Sequence, residues 1–338
     1  MDTADLDYPL PSEAIAQTPI EPRDAARLLI DRGPGLDPVH GRISDLPSLV
    51  RPGDVVVVNT TRVLPARLHL RKPSGAAVEV LLVEPLDADE RTWEALVRPS
   101  RKVPDGTVLQ AGDDLSIAVG PARPDGARTV EIGLARGCSL LAALQRHGQV
   151  PLPPYIRQAL ADPERYQTTY ALEPGSVAAP TAGLHLTAGV LAGIRSAGGE
   201  VRPVELMVGL GTFKPITADR VEDHRMHGER YRVPAETMAA CEAAHRVIAI
   251  GTTTVRALES AAATGQLAGR TELFIHGPHP FALVDALLTN FHQPRSSLLV
   301  LVEAFIGPRW RELYRVALDE GYRFLSFGDA MFLERAPR

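Results

Sequence analysis

The run Val177-Ala178-Ala179-Pro180-Thr181-Ala182-Gly183-Leu184-His185 sets a hydroxyl and an imidazole among small residues. It has neither the amphipathic period of a helix nor the length of a buried strand. Small residues let backbone approach a ligand closely. In that setting Thr181 and His185 could hydrogen-bond a substrate or move protons. An ordinary turn leading into a helix near Thr187 would carry the same residues. A second polar stretch, Thr289-Asn290-Phe291-His292-Gln293-Pro294-Arg295-Ser296-Ser297, stands ahead of an apolar run. Ser296 or Ser297 could cap that helix, yet Asn290, His292 and Arg295 exceed what capping needs.

Other clusters allow two readings each. Ile248-Ala249-Ile250-Gly251-Thr252-Thr253-Thr254-Val255-Arg256 reads as a strand, a turn and a helix start. Free amides and threonine hydroxyls there favour a carboxylate or phosphate, with Arg256 close by. Plain N-capping by threonine fits equally. Val208-Gly209-Leu210-Gly211-Thr212-Phe213 allows close ligand approach. It lacks the third glycine and following helix of a dinucleotide fingerprint, and no P-loop occurs. His224, His227 and Glu229 form a His-x-x-His-x-Glu cluster that does not match the zinc-protease spacing. Acid–base or hydrogen-bonding use is the better functional reading, against a solvated loop; no metal site is expected. Arg98-Pro99-Ser100-Arg101-Lys102 is a compact basic run suited to phosphate, or a solvated turn. Gly148 to Ile156 is a stiff, proline-rich connector in which Tyr155 could stack on a base.

The elements that must position these groups fall into two patterns. Val55–Val58 is a buried strand that ends at Asn59-Thr60-Thr61-Arg62. Short β-rich runs follow at Leu68–Leu70, Val78–Val83, Trp93–Val97, Leu115–Val119 and Thr129–Ile132, with turn signals between them. They predict a small antiparallel sheet or barrel. A short helix is expected from Ser139 to Arg146. Beyond it helices and strands alternate. Helices are predicted from Thr187 to Ser196, Pro234 to about Arg246, Thr252 to Ala263, Ser296 to Phe305 and Pro308 to Glu320. Strands are predicted at Val201–Val208, Val247–Ile250, Leu273–Ile275 and Arg323–Phe327. Alternation argues for an α/β domain, and since Val55–Val58 also reads as one of its strands, the β-rich segment, a sheet or barrel, could be an insertion into one discontinuous domain.

Bulk properties agree with that outline. A chain of 338 residues exceeds the usual single domain. Hydrophobic residues make up 45% and charged residues 23%, enough to bury a real core. The net charge of −5 argues against a uniformly basic surface but leaves room for a local arginine patch. Cys138 and Cys241 form no metal-like pair and no disulfide framework. There is no apolar leader at the acidic start and no apolar run of about 18 residues, so a cytoplasmic protein without a membrane span is expected.

Taken in order, these segments resemble the S-adenosylmethionine:tRNA ribosyltransferase-isomerases, the epoxyqueuosine-forming enzymes of queuosine biosynthesis. The resemblance runs nearly full length. It starts at Asp5 to Pro11 with Ile15-Ala16-Gln17 and continues through Gly53-Asp54, Asn59 to Arg67, Pro151 to Ile156 and Tyr166 to Ala171. It takes in Ala178 to His185, Gly209 to Phe213, Met226 to Glu229, Gly251 to Arg256, Thr289 to Pro294 and Gly328-Asp329-Ala330. The resemblance implies an α/β main domain, discontinuous over residues 1–67 and 151–338, with a small antiparallel β-barrel domain inserted at 68–150. It implies transfer of the ribosyl part of S-adenosylmethionine to an aminomethyl-deazaguanine at the tRNA wobble position, with rearrangement to an epoxycyclopentane and release of adenine and methionine. S-adenosylmethionine is then a consumed donor, and no other cofactor or metal is needed. His185, His227 and His292 become acid–base candidates, with Glu229 as base or as orienter of a histidine. Thr181, Gly211, Thr212, Thr252, Thr253 and Arg256 would hold the donor. Asn59, Asn290 and Arg295 join the substrate-binding set. Arg62, Arg67, Arg98, Arg101 and Tyr155 would meet the tRNA anticodon loop. A monomer suits a site formed within one chain.

Some positions depart from the family pattern. Met207 stands where a histidine is usual, Gly228 and Ala26 where serines are, and Leu186 and Gln293 where Phe and Leu are. Met207 removes an imidazole that could hydrogen-bond or move a proton. It leaves open a paralogue acting on a small deazapurine or another amine. A catalytically silent RNA-binding protein is the third alternative.

Overall fold

The computed structural model describes residues 1–123, 126–209 and 215–335. They form two compact units: Met1–Arg62 with Pro153–Glu173 and Ala179–Arg338, and Val63–Leu152 with Pro174–Ala178. The first is an α/β unit built on a nine-stranded mixed sheet. Its centre is parallel: Glu200–Leu206, Asp54–Asn59, Arg246–Ile250 and Ala286–Asn290 lie side by side. Ala330–Glu334 then pairs antiparallel to Ala286–Asn290 and parallel to Arg27–Ile30, with Val39–Arg42 at that edge. Glu229–Arg232 and Ala268–Thr271 extend the opposite edge.

The central strands are apolar because they are covered. Every residue from Asp54 to Asn59 is buried, as expected of parallel strands flanked by helices. Val56, Val58, Ile248, Ile250, Ala286 and Leu288 pack in one cluster with Val190, Leu191 and Ile194 of the helix Ala188–Ser196. The helix Thr252–Thr264 packs against the same central strands outside that cluster. Ser139, Thr187 and Ser296 each accept a backbone N–H of the following helix, the last two at positions where the sequence suggests a cap. No described helix is long and apolar enough to cross a membrane.

The second unit is a closed antiparallel barrel. Arg67–Arg71, Ala77–Pro85, Thr92–Arg98, Arg128–Leu134, Leu115–Ala122 and Thr107–Ala111 follow one another, and the last pairs back to the first through Gln110 and Arg71. Closure removes the exposed edges that an open sheet would leave. Trp93, Val80, Leu82, Leu109 and Ile117 fill its interior. The α/β fold with an inserted barrel is thus the architecture expected.

Two predicted strands are not strands. Leu273–Ile275 is irregular, and the strand lies just before it at Ala268–Thr271. That edge strand is mostly exposed, so no apolar signal marked it. Arg323–Phe327 is also irregular. Leu325 takes a φ of 69°, and both carboxylate oxygens of Asp329 accept backbone N–H groups, one from Arg27 in the neighbouring strand and one from Arg323. These contacts curl the segment, and the last strand forms at Ala330–Glu334. A Cβ on Gly328 would lie 2.4 Å from the Arg323 carbonyl oxygen, so the curl admits only glycine there.

Asn59 ends the first central strand and binds main chain in two directions. Its Oδ1 accepts from Thr61 N at 3.1 Å and Leu206 N at 3.2 Å, and its Nδ2 donates to the Leu206 carbonyl at 2.9 Å. Asn59→Ala is expected to lower the unfolding free energy by about 2–4 kcal/mol, since it strands buried N–H groups. Urea titration of the two proteins measures this; equal midpoints would refute the anchoring role.

Candidate active site

The parallel strands bring their C-terminal ends together at Leu206, Asn59, Ile250 and Asn290. In open α/β sheets this edge is where ligands bind. Asn290 is its hub. Thr181 Oγ1 donates to Asn290 Oδ1 at 2.9 Å. Asn290 Nδ2 faces His185 Nε2 at 3.1 Å and the Asp329 carbonyl at 3.4 Å. The run Thr181–His185 is one 3-10 turn, which brings the hydroxyl and the imidazole to the same amide. A Cβ on Gly183 would lie 2.2 Å from the Tyr170 hydroxyl, so this residue lets the turn seat against Tyr170.

Beyond Asn290, the chain is held by aromatic hydroxyls. Tyr314 Oη accepts from His292 N at 2.9 Å, and Tyr8 Oη donates to the His292 carbonyl. The His292 ring nitrogen Nε2 meets Thr289 Oγ1 at 2.9 Å. Arg295 follows with a φ of 55° and an exposed ion pair to Asp7. Two residues with positive φ, Arg295 and Leu325, therefore border the same region, a strain that rigid surroundings must hold. Tyr155, Thr181, Asn290, His292, Ser296, Leu325 and Ser326 line a pocket there with an empty volume of ≈340 Å³, part of it open to solvent. Tyr155 Oη and Ser326 Oγ are 2.7 Å apart, and burial pushes the Tyr155 phenol up to about 12.

A second pocket of ≈350 Å³ is lined by Thr252, Thr253, Arg256, Met226, Ser297 and Leu298, and Leu298 also borders the first. It opens at the start of the helix Thr252–Thr264, whose cap is Gly251 at φ 89°. Among the described residues no side chain caps that end. Arg256 is buried against Glu229, and its Nε donates to the Leu273 carbonyl at 3.1 Å. Glu229 also accepts from Gly209 N at 3.0 Å. It thus orients Arg256 and the peptide ahead of residues 210–214. A third pocket of ≈230 Å³ is lined by Pro19, Ile20, Arg23, Arg165, Leu184, His185, Ser326 and Phe327, and shares Ser326 with the first.

The residues singled out from sequence separate accordingly. Tyr155, Thr181, Asn290 and His292 come together, and so do Thr252, Thr253 and Arg256. Asn59 reaches Thr253 Oγ1 at 3.3 Å, but its amide is otherwise spent on main chain. His227 is exposed, and His224 stacks edge-on against Phe274. Among the described residues no group of three His, Cys, Asp or Glu could hold a metal ion. Arg62 and Arg67 make ion pairs with Glu164 and Glu79. Arg98 and Arg101 are exposed on the barrel. Gly211 and Thr212 lie outside the described residues. Arg23, Arg165 and Arg323, around His185, were not found from the sequence, where they stand far apart as isolated arginines.

The two buried imidazoles are neutral at pH 7. Burial, reinforced by the Arg323, Arg165 and Arg23 guanidiniums, lowers His185 to about 3. Burial alone lowers His292 to about 3. Each ring therefore offers one donor and one acceptor rather than a charge. Neither is poised as a strong base in this state, which narrows the acid–base roles expected of them.

This is an α/β enzyme fold with an inserted barrel and a polar pocket at the C-terminal edge of its parallel strands. The sequence matches the family described as "Queuosine biosynthesis protein" over residues 3–333. It is 49% identical over 334 residues to the S-adenosylmethionine:tRNA ribosyltransferase-isomerase of Rubrobacter xylanophilus, covering 98% of each chain. It is 50% identical to the enzyme of that name from Thermus thermophilus, covering 97% of this chain and 98% of the other. A crystal structure of S-adenosylmethionine tRNA ribosyltransferase from Thermotoga maritima is similar at 35% identity, with a TM-score of 0.55 and coverage of 97% and 99%. The chain belongs to the S-adenosylmethionine:tRNA ribosyltransferase-isomerase family of queuosine biosynthesis.

The neutral imidazoles carry a pH consequence. A histidine free to protonate near 6.5 when unfolded, but only near 3 when folded, binds more protons in the unfolded chain across that window. Their stabilisation is complete above about pH 6.5 and is lost progressively as pH falls toward 3. Each contributes a slope of up to ~1.4 kcal/mol per pH unit. His292→Gln should flatten the fall measured by denaturant titration between pH 6.5 and 4.5. An unchanged slope would place the acid sensitivity elsewhere.

Proposed function

We propose that the protein transfers the ribosyl group of S-adenosylmethionine to a 7-aminomethyl-7-deazaguanine at the tRNA wobble position. The product is epoxyqueuosine-tRNA, with adenine and methionine released. The reading rests on the family match over residues 3–333 together with the amide hub at Asn290, which joins Thr181 and His185 in one polar wall. A ribose presents hydroxyls and a ring oxygen, and such a wall offers both donors and acceptors for them. Buried polar groups fixed this way discriminate well, because a ligand lacking the matching group leaves them unpaired.

In this proposal the donor spans the two adjoining pockets at Leu298. Its methionyl carboxylate lies at the start of the helix Thr252–Thr264, where the dipole and free amides favour an anion. Thr252 and Thr253 flank it, and Arg256, held by Glu229, adds a positive charge. The ribose and the acceptor base lie against Thr181, Asn290, His292 and Tyr155. The sulfonium acidifies its neighbouring C5′–H, so a modest base suffices to remove that proton. His185 and His292 are assigned to hydrogen bonding, since protonation of either is suppressed. Of the three imidazoles considered, His227 is the exposed one, next to the pocket residue Met226. It is assigned the proton transfer.

The transfer is redox-neutral, so the reading includes no redox cofactor and no metal. All three pockets are lined by residues of one α/β unit, and the proposal is of a monomer working on tRNA in the cytoplasm.

The decisive assay incubates the protein with S-adenosylmethionine and tRNA carrying the aminomethyl-deazaguanine. Free adenine and a mass gain on the tRNA are expected. No adenine with any acceptor would leave a silent RNA-binding protein, and adenine with only a free base or nucleoside would indicate a small-molecule paralogue. In the same assay His227→Gln should lower kcat by ~10²–10⁴-fold with little change in KM. Thr181→Val should lower kcat/KM by ~10-fold or more, by leaving the Asn290 carbonyl oxygen unpaired.

A further inference from the structure

The pocket behind His185 differs from its neighbours in charge. Arg23 and Arg165 line it, and Arg323 stands beside it with Nη1 on the Thr18 carbonyl at 3.2 Å, one residue before the lining Pro19. Arg23 is spent on structure: it donates to the carbonyls of Gln167, Leu184 and Glu164 at 2.7, 3.1 and 2.9 Å. Its charge is not neutralised by those bonds, since carbonyls carry none. Arg165 donates to the Ile20 carbonyl at 2.7 Å and pairs with Glu21, a carboxylate that is 67% exposed. The Arg165 side chain is 14% exposed, whereas its partner carboxylate stands in solvent, where water and salt screen the pair. Arg323 Nη2 is buried and has no hydrogen-bond partner among the described residues. A buried guanidinium N–H left this way asks for an acceptor.

The surrounding carboxylates do not cancel the cluster at the pocket floor. Glu21, Asp162 and Glu164 act on Arg23, but none of them lines the pocket. Glu164 is itself paired with Arg62. At His185 the charges felt are those of Arg323, Arg165 and Arg23. The ring is neutral, and its pocket still presents a positive field.

We infer that Arg165 and Arg323, with Arg23 behind them, bind a phosphodiester of the RNA acceptor. This deepens the function proposed above and rests on it. Geometry favours the acceptor over the donor. The cationic pocket shares Ser326 with the uncharged polar pocket at Asn290, so a nucleoside in one would reach the other with its own phosphate. The donor's carboxylate already has a helix start on the far side of Leu298. Arginine suits the phosphate because its planar fork can donate twice. Such contacts fix register on the nucleic acid without reading sequence.

The test uses the full chain and an unmodified tRNA transcript, titrated by fluorescence anisotropy over a range of salt. Arg323→Gln and Arg165→Gln are each expected to weaken RNA binding ~5–20-fold, and to reduce the slope of log K against log salt by ~0.7–1. Affinity for S-adenosylmethionine, measured by calorimetry, and the thermal midpoint should stay within experimental error. Arg323→Lys should recover part of the RNA affinity, since it restores the charge. RNA binding and salt slope unchanged in both Gln variants would overturn the inference while leaving the proposed function intact. Weakened S-adenosylmethionine with unchanged RNA would overturn it in favour of a donor-carboxylate site. A wild-type protein with neither RNA affinity nor adenine release would remove the functional reading and the inference together.

Discussion

The hub at Asn290 is the contact on which the site's arrangement depends. A buried primary amide has two donors and an acceptor to satisfy. Here they go to Thr181, His185 and the Asp329 carbonyl. These partners come from two separate stretches of chain, the turn Thr181–His185 and the segment at Asp329. One ties the 3-10 turn to the sheet, and another ties the curl that precedes the last strand. Because the amide is 2% exposed, none of its bonds can be handed to water without cost. The pocket wall is therefore set by hydrogen-bond accounting at the end of one strand.

The same logic runs along the whole C-terminal edge of the parallel strands. Asn59 closes the gap to Leu206, Thr254 returns its hydroxyl to the Ile250 carbonyl at 2.7 Å, and Tyr8 and Tyr314 grip the peptide groups of His292. Glu229 and Arg256 form a buried pair that also secures Gly209 and Leu273. A buried pair of this sort seldom adds net stability, because desolvation offsets the attraction. Its value lies in aiming a guanidinium beside a helix start. Polar side chains that looked like ligand contacts in the sequence thus divide into those that build the wall and those that face the space inside it.

Electrostatics then distinguishes three adjoining spaces. One has a helix start and Arg256, one is polar and uncharged, and one lies under guanidiniums. The two buried histidines are kept neutral, and they contribute orientation rather than charge. Such a graded series suits a substrate pair that carries a carboxylate at one end and phosphates at the other.

Much of this was legible beforehand. The short β-rich runs from Leu68 to Ile132 pointed to an antiparallel sheet or barrel, and the apolar run Val55–Val58 to a buried strand, because burial writes itself into local residue choice. The caps at Thr187 and Ser296 were readable, since a cap is a local contact. Ordered motifs from Asp5 to Ala330 were enough for the family. The edge strand Ala268–Thr271 left no mark, because exposed strands need no apolar code. Arg323–Phe327 misled, because its apolar residues are buried by a curl that Asp329 imposes from six residues on and across the sheet. The sequence by itself determined the two folding patterns and the membership of the polar set. Only the tertiary structure decided which polar groups share a pocket, that Asn59 and Glu229 serve the frame, and that Arg23, Arg165 and Arg323 converge on His185. Convergence across 300 residues is a property of strand order and hydrogen-bond closure, and neither is encoded by local spacing.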